Sequence, residues 1–234
     1  MDKLYIVMPA YNEEANIEKV VSEWYKVLDF ADPKSRFLIA DSGSTDETHS
    51  ILLNLQKKFD KIIILDNTLK QHGPKLIALY KYAVADKADY IFQTDSDGQT
   101  NPDEFKSFWD LRNDYDAILG NRVVRGDGFL RKIVENIVCI LLHLYFGVKV
   151  KDSNAPFRLM SGEVLAKYID RFSSDYNIPN IMLTTFFAYY NEKILFKEIS
   201  FKNRTAGKNS INLMKIIKIG IKAMKDFADF KRKM

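Results

Sequence analysis

The chain has 234 residues, of which 47% are hydrophobic and 28% are charged, with 10 glycines and 6 prolines. This composition is typical of a globular protein with one large domain, and it excludes collagen-like, low-complexity and largely disordered chains. The single cysteine, Cys139, excludes an internal disulfide and a cysteine-rich metal cluster, and it favours a reducing compartment.

The net charge of +4 is unevenly distributed along the chain. Ten of the 35 Lys/Arg residues but only two of the 31 Asp/Glu residues follow Phe201, so this tail carries +8 and the residues before it carry −4.

The longest uncharged stretches, Asn136–Val148 and Asn177–Asn191, are shorter than the roughly 18 to 20 residues of a membrane-spanning helix. The apolar run Leu4–Met8 is too short for a signal peptide. We therefore expect neither a signal peptide nor a transmembrane span.

The first half of the sequence alternates short apolar runs with amphipathic segments. Five runs rich in Ile, Val, Phe and Tyr predict strands: Leu4–Met8, Arg36–Asp41, Lys61–Leu65, Asp89–Thr94 and Asp116–Leu119. Between the first four strands, apolar residues recur at helical spacing in segments that include Ile17, Ile51 and Leu76. Strands that alternate with helices predict an α/β fold of three layers with a mainly parallel central sheet.

The second half adds two apolar helices and a strand. The predicted helices cover about Ile133 to Phe146 and Ile178 to Tyr190, and the strand covers Ile194 to Phe201. No linker and no repeat interrupts the chain. We therefore expect one domain over residues 1–209, followed by a basic amphipathic helix over residues 210–234.

Ligands of open α/β sheets bind at the carboxyl ends of the strands, so the loops that follow the strands are the candidate sites. Three of these loops are unusually polar: Pro9–Glu14, Asp41–Asp46 and Asp95–Gln99. The sequence contains no Walker A motif and no complete G-x-G-x-x-G motif. A nucleotide, if one is bound, is held in another way.

The third polar loop has the chemistry of a divalent cation site. Asp95 and Asp97 are two residues apart, which points both carboxylates to one side of an extended chain, and Gln99 adds a neutral oxygen. Mg²⁺ and Mn²⁺ bind one or two carboxylates together with substrate phosphates. The spacing alone is equally compatible with an Asx-rich turn without metal. An EF-hand is excluded, because Gly98 stands at loop position 4 instead of 6.

In this order, the three loops resemble those of glycosyltransferase family 2, in particular the dolichol-phosphate mannosyltransferase-like group that acts on polyprenyl phosphates. The resemblance covers roughly residues 3 to 210. It implies a GT-A fold with a Rossmann-like nucleotide-binding half, and inverting transfer of a sugar from a nucleotide-diphosphate sugar. It also implies Mg²⁺ or Mn²⁺ as the cofactor.

The resemblance also implies roles for individual residues. The implied nucleotide-binding residues are Pro9, Ala10, Tyr11, Glu13, Asp41, Ser42, Gly43, His72, Gly73, Lys75, Asp95 and Ser96. Asp97 and Gln99, with Asp95 nearby, would hold the metal on the diphosphate. Two positions depart from the family pattern: Ser42 replaces a second acid, and Lys75 stands where a small residue is common.

Basic residues farther along the chain match the family's phosphate-binding positions. The Gly120–Arg122 turn would place a guanidinium beside phosphates, and Arg131 is a second candidate for that role. Arg158, Arg204 and Lys208 are the implied acceptor-binding residues.

The leaving diphosphate gains negative charge during glycosyl transfer, so a cation and guanidinium groups stabilise the transition state more than the ground state. The predicted catalytic residues are therefore Asp97, Arg122, Arg131 and Asp152. A lipid phosphate needs no general base, whereas a hydroxyl acceptor would need one, for which Asp152 is the candidate. An Asx-turn or a helix cap is the alternative interpretation of Asp152.

The basic tail predicts a membrane-surface helix. On a helical wheel of Ser210–Lys233, Lys215, Lys218, Lys222 and Lys225 form one face opposite a broad apolar face. An ordinary helix packed on the domain remains the alternative. Nucleic-acid binding is not expected, because the tail has an apolar face and no interleaved aromatic residues.

The sequence therefore predicts a metal-dependent glycosyltransferase that uses a nucleotide-diphosphate sugar and a polyprenyl phosphate or glycan acceptor. We expect it on the cytoplasmic membrane face, in the synthesis of cell-surface polysaccharides or glycoconjugates. The alternatives are a sugar-phosphate nucleotidyltransferase and a nucleotide-sugar binding protein with a degenerate site. Release of free nucleoside diphosphate would indicate the glycosyltransferase, release of pyrophosphate the nucleotidyltransferase, and no product the binding protein.

Overall fold

The computed structural model describes residues 1–123, 129–203 and 224–232. Its centre is a seven-stranded mixed sheet. The strands are β1 (Leu4–Ala10), β2 (Arg36–Asp41), β3 (Ile62–Leu65), β4 (Tyr90–Gln93), β5 (Ala117–Asn121), β6 (Arg158–Ser161) and β7 (Ile194–Glu198). Their order across the sheet is β3-β2-β1-β4-β6-β5-β7, and β6 runs antiparallel to both of its neighbours.

Helices connect most of these strands. The helices are α1 (Ile17–Tyr25), α2 (Thr48–Lys58), α3 (His72–Ala85), α4 (Phe105–Trp109), α5 (Phe129–Phe146), α6 (Gly162–Ile169) and α7 (Pro179–Tyr189). Short 3-10 helices follow α1 and precede α4, at Lys26–Phe30 and Pro102–Glu104. Residues 224–232 are also helical.

Two apolar clusters cover the two faces of the sheet. Successive residues of a strand point to opposite faces, and in β1 Tyr5 and Val7 join one cluster while Ile6 and Met8 join the other. The first cluster includes side chains of α3, α5, α6 and α7, whereas the second includes those of α1, α2 and α4. The predicted three-layer α/β fold is confirmed.

The register of the central strands fixes the position of the polar loops. β1 pairs in parallel with β2 on one side and with β4 on the other. Ala10 lies opposite Asp41, and Val7 lies opposite Gln93. The three strands therefore end at the same edge of the sheet, where the three polar loops begin.

The sequence patterns missed the antiparallel part of the sheet. β6 has only four residues and begins with the charged Arg158, so its sequence lacks both an apolar run and an apolar–polar alternation. α6, which follows it, was also missed; it is capped by the Ser161 hydroxyl, which accepts a hydrogen bond from the Val164 N–H at 3.1 Å. β7 ends at Glu198, three residues before the predicted end.

The described part of the C-terminal segment packs on the domain. Phe227 is fully buried, with its ring 5.8 Å from that of Phe146, and the ring of Phe230 is 5.4 Å from that of Tyr176. Lys225, one member of the predicted lysine face, is exposed. Residues 210–223 and 233–234 of the predicted C-terminal helix lie outside the described residues.

No helix within residues 1–123, 129–203 and 224–232 combines the length and the hydropathy of a membrane span.

The aromatic contacts of Phe227 predict that residues 224–232 contribute to the stability of the domain. We expect Phe227→Ala to lower the free energy of unfolding by about 3 kcal/mol, because the substitution removes a fully buried ring. Lys231→Ala, at an exposed position of the same helix, is the control. Urea unfolding measures both variants, and equal values for Phe227→Ala and the wild type would contradict the packing.

Candidate functional site

The first two polar loops are tied together at the carboxyl ends of β1 and β2. The side chain of Asn12 accepts a hydrogen bond from the Thr45 N–H at 2.8 Å, and the Asn12 N–H donates to the Ser44 hydroxyl at 3.1 Å. The Glu13 N–H donates to the Thr48 hydroxyl at 2.8 Å. These contacts hold the two predicted nucleotide-binding loops as one unit.

Asp41 is the central acid of this unit. Its carboxylate is buried at the end of β2, where it accepts a hydrogen bond from the Ser44 hydroxyl and pairs with Nδ1 of His49 at 3.1 Å. No sequence motif predicted this contact of His49, which lies in the first turn of α2. The neighbouring Ser42 turns away and donates to the backbone oxygen of Asp66 at 2.8 Å.

Lys75 enters the same site from the first turn of α3. The side chain is 1% exposed, and its Nζ donates to the Ala10 carbonyl at 2.6 Å. Nζ also lies 5.4 Å from the centre of the Tyr11 ring, over which Lys70 lies at 4.8 Å. Burial lowers the pKa of Lys75 to about 8, although the charge of Asp41 acts in the opposite direction. A buried cation therefore stands between the two loops.

The other predicted residues of these loops have mainly structural contacts. Pro9 and Ala10 belong to β1, and Glu13 is buried and accepts a hydrogen bond from the side-chain amide of Asn16 at 3.1 Å.

Two predicted glycines have close neighbours or an unusual backbone conformation. A Cβ atom on Gly73 would come within 2.4 Å of the backbone oxygen of Asn177, so the chain approaches this residue closely. Gly43 has a φ of +78°, which L side chains rarely adopt.

The acidic third loop lies against the first. The Ser96 hydroxyl donates to the Pro9 carbonyl at 3.0 Å, and Oδ1 of Asp95 lies 3.3 Å from Nε2 of His72. Oδ1 of Asp97 accepts a hydrogen bond from the Gln99 N–H at 3.1 Å. The acidic loop is therefore in direct contact with the end of β1 and with the first residue of α3.

The donor set of the acidic loop fits a divalent ion that is shared with a diphosphate. Asp95 and Asp97 are half-buried, whereas Gln99 is buried and donates its amide N–H to the Lys202 carbonyl at 2.7 Å. The described residues contain no group of three or more His, Cys, Asp or Glu side chains that could hold a metal by themselves. Two carboxylates with substrate phosphates are the usual set for Mg²⁺.

Arg122 and Asp152 form a buried ion pair beyond the end of β5. Nε of Arg122 lies 2.7 Å from Oδ2 of Asp152, and one terminal nitrogen lies 2.9 Å from Oδ1, so the pairing is bidentate. Both side chains are less than 10% exposed. The Arg122 guanidinium also lies 5.1 Å from the centre of the Phe201 ring. Two of the four predicted catalytic residues, Arg122 and Asp152, therefore occupy one cluster.

Glu135 of α5 belongs to the same cluster, and the sequence patterns missed it. Its Oε1 accepts hydrogen bonds from the Ser153 N–H at 2.7 Å and from the Ser153 hydroxyl at 2.6 Å. Its Oε2 lies 3.8 Å from a terminal nitrogen of Arg122. Glu135 is the single acid of α5, and this was the available signal, because burial of such a charge requires partners.

Arg158 does not reach the protein surface. The residue is 0% exposed, and its guanidinium donates to the carbonyls of Ala155 and Asn180 at 3.2 Å and to the Thr184 hydroxyl at 3.2 Å. Burial lowers the pKa of Arg158. These contacts give Arg158 a role in holding the core together, and its burial argues against direct contact with an acceptor.

Of the remaining predicted basic residues, only Arg131 belongs to the described residues. Arg131 is half-buried in the first turns of α5. Arg204 and Lys208, the other predicted acceptor-binding residues, lie outside the described residues.

Comparison with protein families and curated proteins agrees with these features. Glycosyl transferase family 2 matches residues 5–195. A dolichyl-phosphate beta-glucosyltransferase of Dictyostelium discoideum is 25% identical over 202 residues, which cover 76% of this chain and 62% of the relative. An undecaprenyl-phosphate 4-deoxy-4-formamido-L-arabinose transferase of Shewanella sediminis is 24% identical over 223 residues, or 94% of this chain and 65% of the relative. The chain thus spans less than two thirds of either relative.

Solved structures share the same fold. Glucosyl-3-phosphoglycerate synthase of Mycobacterium tuberculosis, in complex with Mn²⁺ and UDP-glucose, superposes with a TM-score of 0.70 at 18% identity, covering 97% of this chain and 79% of that one. S. aureus TarS in complex with UDP-GlcNAc superposes with a TM-score of 0.63 at 18% identity, covering 90% and 62% of the two chains. The family match and the shared architecture confirm the resemblance found in the sequence: the chain belongs to glycosyl transferase family 2 and has a GT-A fold.

Proposed function

We propose that the protein transfers a sugar from a nucleotide-diphosphate sugar to a polyprenyl phosphate. The observation that carries this proposal is the contact between the acidic loop and the end of β1, made by the Ser96 hydroxyl and the Pro9 carbonyl. This contact brings the carboxylates of Asp95 and Asp97 to the edge of the sheet where Asp41 lies. A nucleotide-diphosphate donor needs two neighbouring sites of this kind, one for its nucleoside and one for its diphosphate.

Asp95, Asp97 and Gln99 would hold a divalent cation on the donor diphosphate. When bound, Mg²⁺ or Mn²⁺ acts as a Lewis acid that stabilises negative charge on the leaving phosphate. The complex of the Mycobacterium tuberculosis neighbour with Mn²⁺ and UDP-glucose supports this choice of cofactor.

Asp152 fixes the orientation of Arg122, and this is the role that we propose for it. The bidentate pairing holds the guanidinium plane, so Arg122 is already oriented when charge develops on the leaving phosphate. A phosphate acceptor is already an oxyanion and needs no general base. The two relatives named as dolichyl-phosphate and undecaprenyl-phosphate transferases support a lipid phosphate as acceptor.

We also propose that α5 binds the cytoplasmic surface of the membrane. Ile133, Ile137, Ile140 and Leu144 are 38%, 51%, 59% and 70% exposed. Their spacing of four, three and four residues places them on one face of the helix, which we call the α5 stripe. An exposed apolar stripe of this kind is typical of helices that lie in a membrane interface.

Transfer activity tests the proposed reaction. We expect UDP-, GDP- or CDP-sugars, mixed with undecaprenyl phosphate and Mg²⁺ or Mn²⁺, to give free nucleoside diphosphate and a glycosylated lipid. Asp97→Ala should lower the rate at least about 100-fold, because charge on the leaving phosphate loses its compensation. Asp103→Ala, at an exposed position nearby, is the control. Release of pyrophosphate would instead support a nucleotidyltransferase, and no product with any donor would support a binding protein.

The proposed role of Asp152 predicts a joint loss of stability and activity. Asp152→Asn should lower the free energy of unfolding by about 3 kcal/mol, because Arg122 then loses the charge of its bidentate partner inside the protein. Asp110→Asn, which affects an exposed ion pair with Lys106, should change it by less than about 1 kcal/mol. If Asp152→Asn unfolds like the wild type but loses activity, Asp152 is a general base and the positioning role is wrong.

Vesicle sedimentation tests the α5 stripe. We expect Leu144→Ser to weaken binding to vesicles with anionic lipid about tenfold, because a leucine side chain contributes roughly 1.5 to 3 kcal/mol on burial. Leu53→Ser, which changes a leucine on α2 that is 41% exposed, is the matched control. Equal binding of the two variants would contradict a membrane contact through α5.

A further inference from the structure

We propose that Glu135 is a positioning residue for sugar transfer: it fixes the turn that carries Asp152 and, through that turn, the orientation of Arg122. The inference rests on the proposed function, because it concerns the guanidinium to which that function assigns the leaving phosphate. Glu135 lies on α5, outside the polar loops and the basic positions from which the sequence predicted the site. Its contacts nevertheless lead to the Arg122–Asp152 pair.

The carboxylate of Asp152 is held on both of its oxygens. Oδ1 accepts hydrogen bonds from a terminal nitrogen of Arg122 at 2.9 Å and from the Asn154 N–H at 3.1 Å. Oδ2 accepts hydrogen bonds from Nε of Arg122 at 2.7 Å and from the Arg122 backbone N–H at 3.3 Å. The bond to Asn154 ties the carboxylate to its own turn, residues 152–154. A displacement of this turn would therefore move the carboxylate and the guanidinium together.

Ser153 anchors the turn from two sides. The residue is fully buried, and its N–H and its hydroxyl both donate to Oε1 of Glu135, at 2.7 Å and 2.6 Å. Its carbonyl accepts hydrogen bonds from the Thr184 hydroxyl at 3.0 Å and from a terminal nitrogen of Arg158 at 3.4 Å. α7 and β6 thus hold the carbonyl, whereas α5 holds the two donors through Glu135. Loss of Glu135 would remove the acceptor of two buried donors, which is costly inside a protein.

The two oxygens of Glu135 have different neighbours. Oε1 accepts both bonds from Ser153, whereas Oε2 lies 3.8 Å from a terminal nitrogen of Arg122. A separation of 3.8 Å is longer than a hydrogen bond, while both bonds to Ser153 are short. The hydrogen bonds to Ser153 are therefore a stronger link from α5 to the site than the charge beside Arg122.

The orientation of Arg122 matters most while charge develops on the leaving phosphate. A displaced guanidinium stabilises the transition state less, while the bound donor keeps its contacts with the polar loops. A displacement of about 1 Å can lower a rate by up to about 100-fold. Loss of the bonds between Glu135 and Ser153 should therefore lower kcat and leave the KM for the donor nearly unchanged.

Two substitutions of Glu135 separate its hydrogen bonds from its charge. Glu135→Gln keeps the length of the side chain and an acceptor oxygen for Ser153, but it removes the charge. Glu135→Asp keeps the charge, but it is one methylene shorter and withdraws its oxygens from Ser153. In steady-state transfer to undecaprenyl phosphate, we expect Glu135→Asp to lower kcat at least about tenfold, with the KM for the nucleotide sugar within about twofold of the wild type. Glu135→Gln should keep kcat within about threefold of the wild type.

Two further measurements separate positioning from a general loss of stability. Leu165→Ala, which truncates a fully buried side chain of α6, should lower the temperature of thermal unfolding and keep the wild-type kcat below that temperature. Amide hydrogen exchange measured by NMR should show that the Ser153 N–H loses protection in Glu135→Asp and keeps it in Glu135→Gln.

The proposal is wrong if folded Glu135→Asp keeps the wild-type kcat, or if Leu165→Ala loses kcat to the same extent as Glu135→Asp. It is also wrong if Glu135→Gln protects the Ser153 N–H but loses as much kcat as Glu135→Asp, because the charge beside Arg122 would then be the essential contact. If the wild type transfers no sugar from any donor, the proposed function itself fails, and this inference fails with it.

Discussion

The position of β1 between two parallel neighbours is the constraint on which the candidate site depends. β1 is buried along its whole length, and its pairing with β2 and β4 places three chain segments at one edge of the sheet. A shift of one residue in either register would move alternate side chains to the opposite face and out of their apolar clusters. The same packing that fills the core therefore keeps the loops that carry Asp41, Asp95 and Asp97 at one edge of the sheet.

A second set of charges, formed by Arg122, Asp152 and Glu135, lies on the antiparallel side of the sheet. β6 pairs with both β4 and β5, so it connects the strand that precedes the acidic loop to the strand that ends at Asn121. The cost of burying these charges is offset only when each has a partner, which explains why the bidentate pair and the bonds of Glu135 to Ser153 occur together. The contacts that offset the burial of these charges are therefore the same contacts that fix the position of Arg122 in the candidate site.

Local patterns were sufficient for the parallel half of the fold, because its strands are apolar runs and its helices are amphipathic. The sequence could not predict β6, since its four residues are defined by pairing with distant strands. For the site, the motifs predicted the polar loops, but not that His49 contacts Asp41 or that Glu135 contacts Ser153. Such contacts depend on tertiary packing, which brings together residues that carry no joint signal in the sequence. The roles assigned to the predicted site residues stay predictions.

α5 connects the charged cluster to the exterior. Its residues advance by about 100° each, so Glu135 lies about 160° around the helix axis from both Ile133 and Ile137. The acid consequently faces Ser153 and Arg122, while the α5 stripe faces outward. Under the proposed function, one rigid helix would set the distance between the lipid surface and the guanidinium beside the leaving phosphate. A polyprenyl phosphate would then need to rise from the membrane by no more than the thickness of that helix and its side chains, about 10 Å.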